Sequence, residues 1–230
     1  MKKVTRWIFY SITALVTLVV VVPLAILITV FALVWFKLPD LDVLTDYQPR
    51  VKIENVPNTL KQALLAAEDE RFYEHMGIDF VGWLDALRGD RSAGGSTITM
   101  QVARNFFLTR NRPTGGRHLY QILLPLKIER NFSKDQILEF YINRIFLGQR
   151  AYGFEAAAQT YFGKTLGELS LAETAMLAGL PRGPSVLNPI DNPTLAKRRQ
   201  STVLKRMRDV DFIDEAAYQA ALEEPLRTGP

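Results

Sequence analysis

The 230-residue sequence has no cysteine and only two histidines, His75 and His118. A disulfide framework is therefore excluded, as is a metal cage built from His and Cys. A Ser-His-Asp triad has just those two imidazoles to draw on. The body of the chain also lacks a charge excess. Residues 1–37 hold Lys2, Lys3, Arg6 and Lys37 and no acid, which leaves 24 bases against 24 acids beyond them. The net charge of +4 thus belongs to the N-terminus, and any anionic partner has to be sought at local clusters. Internal repeats and low-complexity stretches are missing, and 48% hydrophobic residues exclude disordered and collagen-like classes. No strand-like alternation is long enough to build a sheet, so the fold class is mostly α.

Trp7 to Phe36 is a run of 30 residues without a charge. It exceeds the roughly 20 residues that cross a bilayer and is too long for the apolar core of a cleaved signal peptide. We read it as a transmembrane helix with Pro23 as a kink point. Lys2, Lys3 and Arg6 precede it, and Asp40, Asp42 and Asp46 follow. By the positive-inside rule the N-terminus is cytoplasmic and the body extracytoplasmic, which disfavours nucleic acid as a partner. The expected division is a cytoplasmic N-terminus and anchor (1–37), a juxtamembrane linker (38–56) and one domain (57–230). In the domain, helix starts are expected at Asn58, Ser96, Ser133 with Gln136, Ser170 with Glu173, and Asn192 before Pro193, and helix ends at Gly163 and Gly179. Ile137–Ile145 and Leu171–Leu177 are the expected core helices.

Three features carry chemistry. On a helix expected over Thr59–Tyr73, Leu60, Leu64, Glu68 and Phe72 recur every four residues, so Glu68 falls on the apolar face while Asp69 and Glu70 point elsewhere. Desolvation there raises a carboxylate's pKa, as a general base requires; a pairing of Glu68 with Arg71 or Lys61 is the structural alternative. In AGGSTITMQVARNFF, two glycines and Ser96 open a helix whose free amides, with the Ser96 and Thr97 hydroxyls, suit an anion; an ordinary helix start capped by Ser96 is the alternative, and the commoner one. Thr97, Gln101, Arg104 and Asn105 make one polar stripe behind it. In TRNRPTGGRH, Arg110, Arg112, Arg117 and His118 cluster around two glycines, which suits phosphate; a solvated loop or a contact with anionic lipid are the alternatives. The basic run Lys197, Arg198, Arg199, Lys205, Arg206 and Arg208 reads as a solvated helix face. His75 is expected to fix the turn after the Glu68 helix. One poised carboxylate, an anion site and an arginine patch suit attack by a hydroxyl on a carbon whose leaving group is a phosphate or pyrophosphate.

The stretches EDERFYEHMGID, GGSTITMQVARN, KIERNFSKDQILEFYINRIFLGQRAYGFEAAAQTYFGK and LSLAETAMLAGLPRGPSVLNP, in that order, resemble the family 51 glycosyltransferases, the peptidoglycan polymerases found alone or within bifunctional penicillin-binding proteins. The likeness runs from about Pro57 to Met207. It implies a lysozyme-like, two-lobed helical domain, here in monofunctional form. It also implies lipid II and the growing glycan strand as substrates, the bilayer and other cell-wall synthases as partners, and the bacterial inner membrane as location.

By the same resemblance Glu68 is the base that deprotonates the acceptor 4-hydroxyl, and one displacement inverts the anomeric centre. Asp69 and His75 belong to the first motif, and Ser96, Thr97, Gln101, Arg104 and Asn105 to the second. Arg112 and Arg117 hold the donor pyrophosphate, and Lys134, Glu139, Tyr141 and Asn143 are mainly structural. Arg104 stands where the family often has Lys and Met100 where it often has Gln. In the third motif the usual Arg-Lys-x-x-Glu becomes Arg117, His118, Leu119, Tyr120 and Gln121. A neutral Gln121 in place of a second catalytic carboxylate weakens the pull on a divalent cation, Mg or Mn, and the expectation is an active enzyme with lower metal dependence. Pro125 is expected to kink the helix that follows. Two other readings remain at this point: a non-catalytic scaffold that binds lipid II or synthases, for which Gln121 speaks, and a lysozyme-like glycan hydrolase. The segment from Asp85 to Gly94 is expected to take shape with substrate bound.

Overall fold

The computed structural model describes residues 2–88, 96–107, 117–226 and 228–229. Arg110, Arg112 and most of the 85–94 segment lie outside these residues, and so do the side chains of Arg117 and His118. Among the described residues the fold is helical, and its one β feature is an isolated antiparallel bridge between Phe146 and Tyr152.

The N-terminal run forms α1 (Lys2–Val16) and α2 (Val22–Phe36), joined by a π turn at Thr17–Val21. Pro23 has no N–H to give and its ring crowds the preceding turn; the helix widens there, with Val22 N–H reaching back to Thr17 O, and continues rather than breaking. Phe9–Phe36, with mean hydropathy 2.9 and no burial, is long and apolar enough to cross a membrane. At 1.5 Å per residue its 28 residues span about 40 Å, against about 30 Å of hydrocarbon.

After α3 (Asp42–Thr45) come α4 (Asn58–Glu68), α5 (Phe80–Leu87), α6 (Ile98–Phe107), α7 (Arg117–Asn131) and α8 (Lys134–Arg144). They are followed by α9 (Phe154–Phe162), α10 (Leu171–Gly179), α11 (Pro193–Asp209) and α12 (Glu215–Glu223). Two packed groups result: α4, α10 and α11 pack on one another, α6 packs on α7 and α8, and α9 touches both α8 and α10. The cores of α8 and α10 are buried as expected, from Ile137 to Asn143 and from Ala172 to Gly179. Ser133 and Ser170 close capping boxes with Gln136 and Glu173.

Other starts differ from expectation. Pro57, not Asn58, precedes α4, and its carbonyl takes the amides of Leu60 and Lys61. Thr97 rather than Ser96 caps α6, accepting Met100 N–H at 3.1 Å. Asn192 holds the position before α11 without a side-chain cap. Gly163 ends α9 in the left-handed conformation. Gly179 ends α10 for another reason: a Cβ there would stand 2.8 Å from Cγ of Arg199.

The exit from the anchor is held by α7. Tyr120 Oη donates to Lys37 O at 3.2 Å, Lys127 Nζ donates to Pro39 O at 2.9 Å, and the Arg130 guanidinium lies 5.7 Å from the Trp35 ring centre. A cation and a hydroxyl thus meet the carbonyls just past a helix C-terminus.

At Gly148 the backbone has φ +86°, and an added Cβ would lie 2.4 Å from Pro184 O and 2.6 Å from the buried Tyr161 hydroxyl. Gly148→Ala is expected to destabilise the domain by about 2 kcal/mol or more, read as a fall in the urea midpoint with an unchanged m-value.

Candidate active site

Helix α4 ends at Glu68, five residues short of the expected Tyr73, because Asp69 is turned out into an extended conformation (φ −163°). Its carboxylate is needed elsewhere. Asp69 Oδ2 accepts Ile98 N–H at 2.8 Å, and Oδ1 lies 2.9 Å from His75 Nε2. Gly77 N–H donates to His75 Nδ1 at 3.1 Å, so the proton of the neutral ring sits on Nε2 and points at Asp69. His75 therefore fixes the turn after α4, as its sequence context indicated. The start of α6 is not the open anion site expected from the sequence: Asp69 and the Thr97 hydroxyl already take the Ile98 and Met100 amides, and Thr97 Oγ1 donates to Gly77 O.

Glu68 itself sits between the two helix groups with its side chain 11% exposed. Gln101 Nε2 donates to its Oε2 at 2.8 Å. Its Oε1 stands 3.5 Å from Nη2 of Arg199, close enough for charge attraction, yet neither atom makes a hydrogen bond among the described residues. Burial raises the Glu68 pKa, opposed by the Gln101 hydrogen bond and the charges of Arg199, Arg182 and Arg206. Burial lowers that of Arg199, opposed by the charge of Glu68. Both partners are thus pushed toward neutrality because desolvation outweighs their mutual attraction.

Glu68 opens into a cleft of about 400 Å³ lined by Ser96, Gln101, Arg104, Pro181, Arg182 and Arg206. Arg104 and Ser96 come from the α6 side, Arg182 from the turn after α10 and Arg206 from α11. Arg206 also donates to Ala67 O at 3.0 Å, at the end of the helix that carries Glu68. Asn105 is half-buried on the same helix as Gln101. Tyr141, on α8, donates to Gln101 Oε1 at 3.4 Å.

The basic run of α11 is not the solvated face expected of it. Arg199 is buried, with Nε on Gly179 O at 3.1 Å, and Arg206 lines the cleft. The expectation holds for Lys205 and Arg208, which pair at the surface with Asp209 and Glu215. Arg182 was missed altogether. The signal that would have found Arg199 is its register: Ala196, Arg199, Val203 and Met207 recur at helical spacing and all four are buried. Gln121 is half-buried in the second turn of α7. Among the described residues no three His, Asp or Glu side chains converge to hold a metal ion.

The helical domain thus carries a carboxylate at the floor of an arginine-walled cleft, behind a helix of membrane-spanning length. The chain belongs to the transglycosylase family, whose model matches residues 41–208. It is 52% identical over 198 residues to a protein of Cupriavidus necator described as a transglycosylase, covering 83% of this chain and 85% of that one. It is also 50% identical over 181 residues to penicillin-binding protein 1A of Pseudomonas aeruginosa, covering 76% of this chain but 22% of that longer protein. The crystal structure of penicillin-binding protein 1A from Haemophilus influenzae is similar at a TM-score of 0.50 and 34% identity, covering 78% of this chain and 18% of that one. The class is therefore that of the peptidoglycan glycosyltransferases.

For an acid whose folded-state pKa is raised, the stabilising protonated form is complete below the unfolded pKa, and stability is lost as pH rises through the folded one. Glu68→Gln mimics the protonated form at every pH. It is expected to melt at a higher temperature than the parent at pH 7 to 8, with the gap closing as pH falls below about 4. A variant less stable than the parent at neutral pH would show that the attraction of Arg199 outweighs burial.

Proposed function

We propose that the protein polymerises lipid II into glycan strands, with inversion at the anomeric carbon and release of undecaprenyl pyrophosphate. One observation carries this reading: a largely desolvated carboxylate whose Oε2 is held by Gln101 and whose Oε1 makes no hydrogen bond among the described residues, on the floor of a cleft walled by arginines. The Glu68 carboxylate takes the proton of the acceptor 4-hydroxyl. The oxygen bonds to the anomeric carbon of the lipid-linked strand as the bond from that carbon to the pyrophosphate oxygen breaks, and the electron pair departs with the pyrophosphate. A single in-line displacement inverts the centre. Negative charge grows on the leaving group, and guanidinium groups stabilise it in the transition state. Arg104 and Ser96 on one wall, with Arg182 and Arg206 on the other, are placed to orient the two anionic substrates. In this reading Arg112 and Arg117 hold the donor pyrophosphate, and Asp69, His75, Thr97 and Asn105 shape the floor and the wall of α6.

Gln121 keeps an amide oxygen but no charge, so the cationic residues carry the neutralisation of the leaving group, and dependence on divalent cation is low. The anchor places residues 57–230 outside the cytoplasmic membrane with the N-terminus inside. The length match with penicillin-binding proteins 1A is limited to about a quarter of each, so their whole activity is not transferred, and other cell-wall synthases are proposed partners only.

The test is polymerisation of labelled lipid II by the detergent-solubilised full-length chain, with and without divalent cation, beside Glu68→Gln. Polymer is expected from the parent, and the variant is expected to fall by about 10²–10⁴-fold. Lipid II binding without product would identify a scaffold, and glycan cleavage without a lipid donor a hydrolase. A parent that is inactive until Gln121→Glu is introduced would overturn the view that the neutral side chain is tolerated.

A further inference from the structure

A glutamine side chain has a donor end and an acceptor end, so the way it is turned decides which protonation state of a neighbouring carboxyl it supports. Gln101 lies between two groups buried on opposite helices. Its nitrogen donates to Glu68 Oε2 on α4 at 2.8 Å, and its oxygen accepts from Tyr141 Oη on α8 at 3.4 Å. Tyr141 is 1% exposed, and this is its one side-chain hydrogen bond among the described residues. Reversing the amide would set its oxygen against the carboxylate, which is tolerable only if Glu68 is protonated. It would also leave the Tyr141 O–H buried without an acceptor.

We infer that Tyr141 is a positioning residue for Glu68: by donating to the Gln101 oxygen it keeps the amide nitrogen turned toward the carboxylate and favours the ionised base. The inference deepens the transferase reading and rests on Glu68 as the base. The other groups that face Glu68 are Arg199 and Arg206 from α11, Arg182 from the turn after α10, Arg104 from α6 and the adjacent Asp69. None of these groups is removed by replacing Tyr141.

The experiment is the pH profile of lipid II polymerisation by the full-length chain and by Tyr141→Phe. The acid limb is expected to move up by about half a pH unit or more, which lowers the rate on that limb about threefold, while the plateau rate is retained. A purely structural Tyr141 would lower melting temperature or plateau activity and leave the limb in place, and that result overturns the inference. Gln101→Met, which keeps a long side chain without an amide, is the second variant. Its limb moves the same way, and adding Tyr141→Phe to it moves nothing further; an additional shift in the double variant overturns the relay. If the parent makes no polymer at any pH, the transferase reading fails instead. Glu68 is then titrated directly through a ¹³C-labelled carboxyl signal, which is expected to titrate at higher pH in Tyr141→Phe and overturns the relay if it does not.

Discussion

A carboxylate and a guanidinium, Glu68 and Arg199, share an interior that is otherwise packed with Leu60, Leu64, Phe72, Met176, Val203 and Met207. Even after relaxation, each buried ion costs several kcal/mol, and a 3.5 Å pair without a hydrogen bond returns only part of that. Each large apolar side chain buried beside it contributes about 1.5–3 kcal/mol, so a handful of them suffices to hold the pair in place. The surrounding fold reflects this constraint. Gln101 steadies one carboxylate oxygen, Gly179 gives the arginine stem room to pass, and Arg206 anchors the end of the Glu68 helix. Among the described residues Glu68 Oε1 and Arg199 Nη2 are buried without a hydrogen-bond partner.

A second constraint is height above the membrane. The lipid-linked substrate of the proposed reaction would present its pyrophosphate at a level set by the bilayer, and a site on a flexible tether would sample that level poorly. Tyr120, Lys127 and Arg130, spaced along one face of α7, grip the chain between Trp35 and Pro39. The buried Leu38 and Leu44 continue that grip into the core. Because α7 begins at Arg117 and carries Gln121, the helix that meets the anchor also carries the residues proposed to face the leaving group.

Periodicity placed Glu68 on an apolar face, since a carboxylate recurring with Leu60 and Leu64 is a local pattern that survives folding, while its role as a base came from the family resemblance. The helix end at Glu68 was not legible, because the residue that breaks it, Asp69, does so for partners 6 and 29 residues away, His75 and Ile98. The same displacement of partners explains α6: Ser96 looked like its cap, yet Thr97 takes the cap and Asp69 takes the first amide. Arg199 and Arg206 were hidden in a basic run where charge suggested solvent, although their register separated them from Lys205 and Arg208. Local pattern therefore gave the apolar faces, and tertiary hydrogen bonds decided which polar residues entered the site.

Pro125 shows how a departure in one element is absorbed by another. Helix α7 runs through it from Arg117 to Asn131, but a proline has no N–H, so the carbonyl of Gln121, four residues earlier, has no helical donor. The two departures in this helix therefore converge on one residue, which presents two neutral acceptors, its carbonyl and its amide oxygen, where the family usually has one charged carboxylate. On the opposite side, Gly77 packs on the Pro125 peptide: a Cβ at Gly77 would lie 3.0 Å from the Pro125 carbonyl, and its φ of +90° suits glycine. Gly77 also holds the His75 ring and accepts from Thr97. The loop that seats Asp69 beside Glu68 therefore leans on the same turn of α7 that carries the altered motif, so a substitution at Pro125 acts on the start of α6, the wall that carries Ser96 and Arg104.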